Sequence, residues 1–143
     1  LIGVEAGGPT KSRLHAAPLS KGAKLGILHG AAAYCCQDEE GQINKTESIS
    51  AGLDYPSVSP IHCFLKDSKR ARYTYATDEE ALRAYQIVTK FEDLNPSLEP
   101  SHAFAEAIKI APNLNKETII VVNSCGDAKK DRDILRERLV KKK

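Results

Sequence analysis

Residues 72–91 constrain the fold more than any other stretch of the chain. Arg72-Tyr-Thr-Tyr-Ala76 reads as a strand, and Thr77-Asp-Glu-Glu80 follows it as a capping box. Thr77 takes the cap and Glu80 the third helical position. Leu82, Tyr85, Ile87, Val88 and Phe91 then recur at the spacing of an amphipathic helix, which Asn95-Pro96 breaks. Ser101 to Ala111 reads as a second helix, apolar at Ala103, Phe104, Ala107, Ile108 and Ala111 and ended by Pro112. Thr118-Ile-Ile-Val-Val122 is a continuous apolar run, the pattern of a strand buried on both faces of a parallel sheet. Asp131 to Val140 closes the series as an amphipathic helix. Strands alternating with helices predict the α/β class, with a largely parallel sheet and flanking helices.

The first half of the chain is less regular. Leu1-Ile-Gly-Val-Glu-Ala6 predicts a short buried strand stopped by Gly7-Gly-Pro9, and residues 9–24 a surface loop rich in Lys, Ser, Gly and Pro. Leu25 to Cys36 is apolar and fits helix and strand equally. Asp38 to Gln42 predicts a turn, Gln42 to Ser50 a loosely alternating strand, and Ile61 to Ser68 a short helix. Ser48-Ile-Ser-Ala-Gly-Leu-Asp-Tyr-Pro-Ser-Val-Ser-Pro-Ile-His62 is the most distinctive segment, with Gly52, Asp54 and two stiffening prolines, Pro56 and Pro60.

Composition narrows the function classes. The 143 residues suit a single unit spanning 1–143, with 41% hydrophobic and 28% charged residues. No apolar run approaches the ~20 residues of a membrane helix, and no basic leader marks a signal peptide. A net charge of +2 gives no ground for nucleic-acid binding, and the basic tail from Arg132 to Lys143 reads as a solvated helix end. Cys35, Cys36, Cys63 and Cys125 form no CxxC and no zinc-like spacing with histidine, which predicts a reducing compartment.

Several short words, in order along nearly the whole chain, resemble one family. Leu1 to Gly8 matches LIGVEAGG, Gly26 to Gly30 resembles GVLHG, and Gln37 to Ile43 resembles QDEDGQI. Ser48 to Pro60 resembles SISAGLDYPGVGP, Leu65 to Ser68 matches LKDS, Leu98 to Ala103 resembles LESSHA, and Ile119 to Asn123 matches IIVVN. The family is the tryptophan synthase β subunit, a pyridoxal-phosphate (PLP) enzyme of fold-type II, and the match covers its C-terminal part. The resemblance implies condensation of L-serine with indole to L-tryptophan. It implies an α-subunit partner, a β–β dimer, and a cytoplasmic location, or a plastid one in a plant or alga. The family's HKxN motif with the cofactor lysine and its GGGSNA phosphate loop do not occur in these residues, so the chain by itself is expected to be inactive. The alternative is a non-catalytic interaction module lacking that lysine.

Site residues carry over position by position. Glu99 matches the carboxylate beside the cofactor ring, which stabilises charge in β-elimination and favours indole; read from the residues alone, it complements the dipole of the following helix. Asn123-Ser-Cys-Gly126 stands where the family has Asn-Leu-Ser-Gly. An ungapped match puts Cys125 against the pyridine nitrogen, and a one-residue shift puts Ser124 there; Gly126 completes the cofactor-binding turn. A thiol is the weaker hydrogen-bonding group. Gly52 and Asp54 match substrate-facing positions, the Asp closing a salt bridge to an upstream Arg. Leu28 and His29 match the indole tunnel, where His29 reads as packing. Tyr55 and Ser57 match positions whose backbone carbonyls bind a monovalent cation. Glu99 and His102 have Glu-x-x-His spacing, but no second such pair supports a metal site.

The chain departs from the pattern mainly at loop glycines. Lys69 replaces the glycine of SGRAEY, Glu92-Asp93 stands where EGIIPALE begins Glu-Gly, and Ser57 and Ser59 replace glycines of the proline loop. SGRGDKD becomes Ser124-Cys-Gly-Asp-Ala-Lys-Lys-Asp131, without the arginine.

Overall fold

The computed structural model describes residues 1–140, so Lys141 to Lys143 of the basic tail lie outside the described residues. The chain divides into two compact units, Leu1–Asp78 and the residues from Glu79 onward.

The first unit contains both sheets. β1 (Ile2–Ala6) pairs in parallel with β4 (Arg72–Ala76), in a register that sets Ile2 opposite Arg72 and Ala6 opposite Ala76. β2 (Lys24–Leu28) and β3 (Ala31–Cys35) form an antiparallel hairpin. The apolar run at 25–36 is therefore two strands. His29-Gly30 turns between them with φ of 51° and 77°, the double left-handed geometry of a tight hairpin turn. The α/β class holds, but one parallel pair beside one antiparallel pair is a mixed arrangement, not a largely parallel sheet.

α1 (Pro60–Asp67) starts where Ser59 caps it, its hydroxyl accepting from the Ile61 amide at 3.2 Å, with Pro60 in the first turn where a missing N–H costs nothing. Leu19, Ala33 and Cys63 form the buried cluster, and Tyr34, Val58 and Tyr73 pack against it.

Two expectations for this unit fail. The loop at 9–24 is not all surface: Ala16, Ala17 and Leu19 are buried, and the Ala16 amide bonds the Ala6 carbonyl at 2.9 Å. The reason is Glu5. Its carboxylate accepts from the amides of Leu19 (3.1 Å) and Ser20 (2.6 Å) and from the Ser20 hydroxyl (2.6 Å), drawing the loop onto β1. Residues 42–50 form no strand either. One isolated bridge joins Ile43 to Gln37, with the Asn44 amide on the Cys36 carbonyl at 2.9 Å; further on, Ile49 bonds Asp78 Oδ1 at 3.1 Å and Ser50 bonds Ser48 Oγ at 3.0 Å.

The second unit is helical. α2 (Asp78–Phe91) begins where the capping box predicts, α3 spans Leu98–Ile110, and a short 3-10 turn at Ala128–Asp131 leads into α4 (Arg132–Val140). α3 starts three residues earlier than the sequence suggests because Pro100 lies in its first turn, where proline is tolerated. The apolar run Thr118 to Val122 is not a strand. A strand exists only by pairing, and no described segment pairs with it; Ile119 and Val121 are 86% and 89% exposed.

Candidate functional site

The second unit gathers two of the regions singled out above. The chain before α3 runs against the segment 126–128: Ser97 N–H donates to the Gly126 carbonyl at 3.1 Å and Ala128 N–H to the Asn95 carbonyl at 3.0 Å. This pairing sets the first turn of α3, which carries Glu99, beside the segment of Ser124, Cys125 and Gly126. Glu99 is nearly buried, its side chain 15% exposed, and its Oε1 accepts from Lys130 Nζ at 2.6 Å. Lys130 also lies 3.4 Å from Asp131 Oδ1. Slight burial works against the Lys130 charge, but the Glu99 hydrogen bond and carboxylate, with Asp131, outweigh it and hold the ammonium pKa above its ordinary value.

Gly126 is crowded by the Ser97 side chain. A Cβ there would come within 2.6 Å of Ser97 Oγ. That hydroxyl is itself fully buried and has no hydrogen-bond partner. Ser124 and Cys125 are exposed on the same turn, so both remain candidates to face a ring nitrogen. His102 is fully buried, with Nδ1 2.7 Å from the Leu98 carbonyl. The carbonyl accepts there, which places a proton on Nδ1 and leaves Nε2 as a buried acceptor. Burial lowers its pKa, outweighing the Leu98 carbonyl, Glu99 and Glu80, which favour protonation. The ring is thus a neutral packing element that ties down the first turn of α3.

In the first unit the family-matched positions fall on loops, except Leu28, which ends β2. Gly52, Asp54 and Tyr55 are exposed, and Ser57 is half-buried. Ser57 fastens the proline loop to the end of β3: its hydroxyl donates to the Tyr34 carbonyl at 3.0 Å and accepts from Cys35 Sγ at 3.3 Å, while the Cys36 amide bonds the Pro56 carbonyl at 2.7 Å. His29, at the hairpin turn, stacks on Tyr55 with ring centres 6.0 Å apart, so two separately matched positions meet; Leu28 beside it is half-buried. A cavity of about 420 Å³ opens in this unit, lined by Val4, Leu19, Gly52, Tyr55, Val58 and Tyr73. Its lining is mostly apolar. Burial raises the Glu5 pKa against the lowering effect of its bonds to Ser20 and Leu19 and of Lys66.

Cys36 is buried beside His15, Sγ to Nδ1 at 3.9 Å, but burial pushes the thiol up to about 11, which makes it a poor nucleophile. Among the described residues no group of three or more side chains could hold a metal ion, and no helix is long and apolar enough to cross a membrane. The sequence reading missed Glu5, Ser97, Lys130 and Asp131. Glu5 sits inside an apolar strand and Lys130-Asp131 inside a charge run that looks like solvated surface. Their partners lie 14 to 33 residues away, beyond any local pattern.

The fold and this geometry define an α/β protein whose helix-start carboxylate is braced by a lysine of the 3-10 turn that precedes its last helix. No family model matches the chain. The tryptophan synthase beta chain of Chromobacterium violaceum is 52% identical to it over 132 residues, which is 92% of this chain and 33% of that protein. The tryptophan synthase beta chain of Bordetella petrii is 50% identical over 139 residues, 96% of this chain and 35% of that protein. The chain belongs among the homologues of tryptophan synthase beta chains and spans about a third of the length of these curated relatives.

Proposed function

We propose that this chain contributes the C-terminal share of a PLP-dependent β-replacement site that joins L-serine and indole into L-tryptophan. The observation that carries the proposal is the bracing of Glu99 beside the 124–126 turn, at positions matching the family's ring-side residues. The residues present fit the pyridine side of the cofactor. Ser124 and Cys125 offer a hydroxyl and a thiol on exposed backbone, and the closed Gly126–Ser97 contact fixes the turn that presents them. When bound, PLP supplies an electron sink for carbanion chemistry at the substrate α-carbon. The chain's own residues do the rest. Ser124 or Cys125 would hold the ring nitrogen by a hydrogen bond, and the Glu99 carboxylate would offer an acceptor where a proton or positive charge develops. In the first unit, Gly52 and Asp54 present the substrate-facing loop, Tyr55 lines the apolar cavity offered to indole, and His29 stacks on Tyr55 with Leu28 beside it. The backbone carbonyls of Tyr55 and Ser57 are offered as a monovalent-cation position. An α subunit and a second β chain are the partners this reading implies, in a cytoplasmic setting.

Co-expression tests it. The chain is produced with the N-terminal portion of the Chromobacterium violaceum protein, which is chosen to supply the cofactor lysine and phosphate loop. Tryptophan formed from L-serine and indole is then measured. Turnover by the pair and by neither part alone is the expected result. Glu99→Ala should lower indole addition by about 100-fold or more while cofactor absorbance is retained. A pair that binds PLP but makes no tryptophan overturns the catalytic reading. A complex without turnover favours the interaction-module reading, for which exposed Ile119 and Val121 provide an apolar contact.

A further inference from the structure

We infer that Lys130 and Asp131 are positioning residues for Glu99: Asp131 fixes the first turn of α3 through the Leu98 amide, and Lys130, anchored on Asp131, fixes the Glu99 carboxylate. The inference rests on the reading of Glu99 given above and deepens it.

α3 does not cap itself. The Ser97 side chain makes no cap hydrogen bond, and its hydroxyl is buried without a partner. The first amides of a helix need acceptors from elsewhere. The Leu98 amide finds one 33 residues away, in Asp131 Oδ2 at 2.8 Å. Asp131 is 3% exposed, and a carboxylate at that end of a helix also complements its dipole. The other end of the same residue is held too, because the Leu98 carbonyl bonds His102 Nδ1 at 2.7 Å. The backbone entering Glu99 is therefore fixed on both sides.

Lys130 then sets the side chain. Its Nζ sits between Glu99 Oε1 at 2.6 Å and Asp131 Oδ1 at 3.4 Å. An isolated pair with a half-exposed lysine holds little, but a cation shared by two mostly buried carboxylates has few alternative geometries. The 3-10 turn that presents Lys130 is itself capped, Asp127 Oδ1 accepting from the Lys129 amide at 2.8 Å. Sequence neighbours 130 and 131 thus grip neighbours 98 and 99, one through the backbone and one through the side chain. Neither needs to touch substrate.

The test separates the two grips on the 143-residue chain. Asp131→Ala should speed hydrogen exchange at the Leu98 amide about tenfold, the scale of one lost helix cap. Asp131→Asn keeps an acceptor for that amide and should leave exchange near wild type, while removing the charge that anchors Lys130. Lys130→Met should leave Leu98 exchange unchanged and shift the NMR signal of the Glu99 carboxyl carbon. In the co-expressed pair, Lys130→Met and Asp131→Asn should lower kcat for indole addition about tenfold, since small misplacements carry large rate costs. KM for L-serine should stay within about twofold, and Lys130→Arg should recover much of the loss. Unchanged Leu98 exchange in Asp131→Ala, or a Glu99 signal blind to Lys130→Met, overturns the inference. Full activity of Lys130→Met and Asp131→Asn beside a damaged Glu99→Ala also overturns it. If instead Glu99→Ala leaves indole addition intact, the function proposed for Glu99 fails, while the exchange and carboxyl-shift results still uphold the clamp.

Discussion

Glu99 and Asp54 are both carboxylates at family-matched positions, yet their surroundings differ. Glu99 is nearly buried, bonded to Lys130 at 2.6 Å and seated on a helix turn braced by Asp131 and His102. Asp54 sits exposed on a loop stiffened by Pro56 and tied by backbone bonds at Leu53 and Tyr55 and by the Ser57 hydroxyl further on. The second unit orders its carboxylate in the bare chain, whereas the first leaves its own to be ordered by whatever it meets. Groups that act on developing charge benefit from being fixed beforehand; groups that close over a ligand need freedom to move.

The largest expected break in this comparison uses glycine. At Gly8, φ is +73° and a Cβ would lie 2.2 Å from the Leu14 carbonyl oxygen and 3.0 Å from that of Glu47, both backbone atoms. Gly8→Ala in the first unit should cost about 3 kcal/mol or more, combining left-handed strain with a clash that nothing can step away from. At Gly126 the obstacle is the Ser97 side chain, so Gly126→Ala should cost less, and Ser97→Ala in the same chain should restore part of the loss. Chemical denaturation of the three variants measures this. A Gly126→Ala loss equal to that of Gly8→Ala, unrelieved by Ser97→Ala, would mean that backbone shape rather than the Ser97 contact dictates that turn.

A smaller effect comes from pH, and its sign differs between the buried acid and the buried imidazoles. Burial depresses the His102 pKa, so its contribution to stability is full above the ordinary imidazole value of about 6.5 and is lost as pH falls toward the lower folded value. Burial raises the Glu5 pKa, so its contribution is full below the ordinary carboxylate value and is lost as pH rises through the folded one. His15, also lowered by burial, adds to the His102 trend from the first unit. The quantity to read is therefore a difference. Between pH 7.5 and 5.5 the chain should lose more Tm than His102→Asn, which keeps a donor near the Leu98 carbonyl. Equal losses would show that His102 is not buried neutral.

How much of this was legible depends on the range of the physics involved. α1, β4 and α2 could be read closely because caps, prolines and periodicity act within a few residues. The hairpin at 24–35 was hidden because Ala31 to Ala33 favour neither period, and the His29-Gly30 turn is the only local sign. Thr118 to Val122 carried the strongest strand signal in the chain and forms none, because strand formation needs a partner that composition cannot supply. Glu99 and the 124–126 segment were singled out only through resemblance to a family. The clamp of Lys130 and Asp131 was not, because a buried carboxylate and a solvated one are the same letter.

The smallest prediction compares two positions that share a backbone shape. Lys69 and Asp93 each follow a helix, α1 and α2, and each adopts left-handed φ, 57° and 52°. Both are exposed, and both stand where the family pattern has glycine. Helices commonly end on a left-handed residue just past the cap, and glycine takes that shape without a Cβ penalty. At Lys69 the cap persists regardless: its amide bonds the Lys66 carbonyl at 2.9 Å, and the Ala71 amide bonds that of Leu65 at 3.0 Å. The strain is thus held by bonds on either side. Lys69→Gly should relieve about 1 kcal/mol, less what glycine adds to the freedom of the unfolded chain. Asp93→Gly should gain less, about a few tenths, because a short polar side chain tolerates the left-handed region better than a lysine does. Both gains should appear in the denaturation midpoint with the slope unchanged. If Asp93→Gly stabilises as much as Lys69→Gly, side-chain type does not set the strain, and the replacement of glycine costs the two units alike.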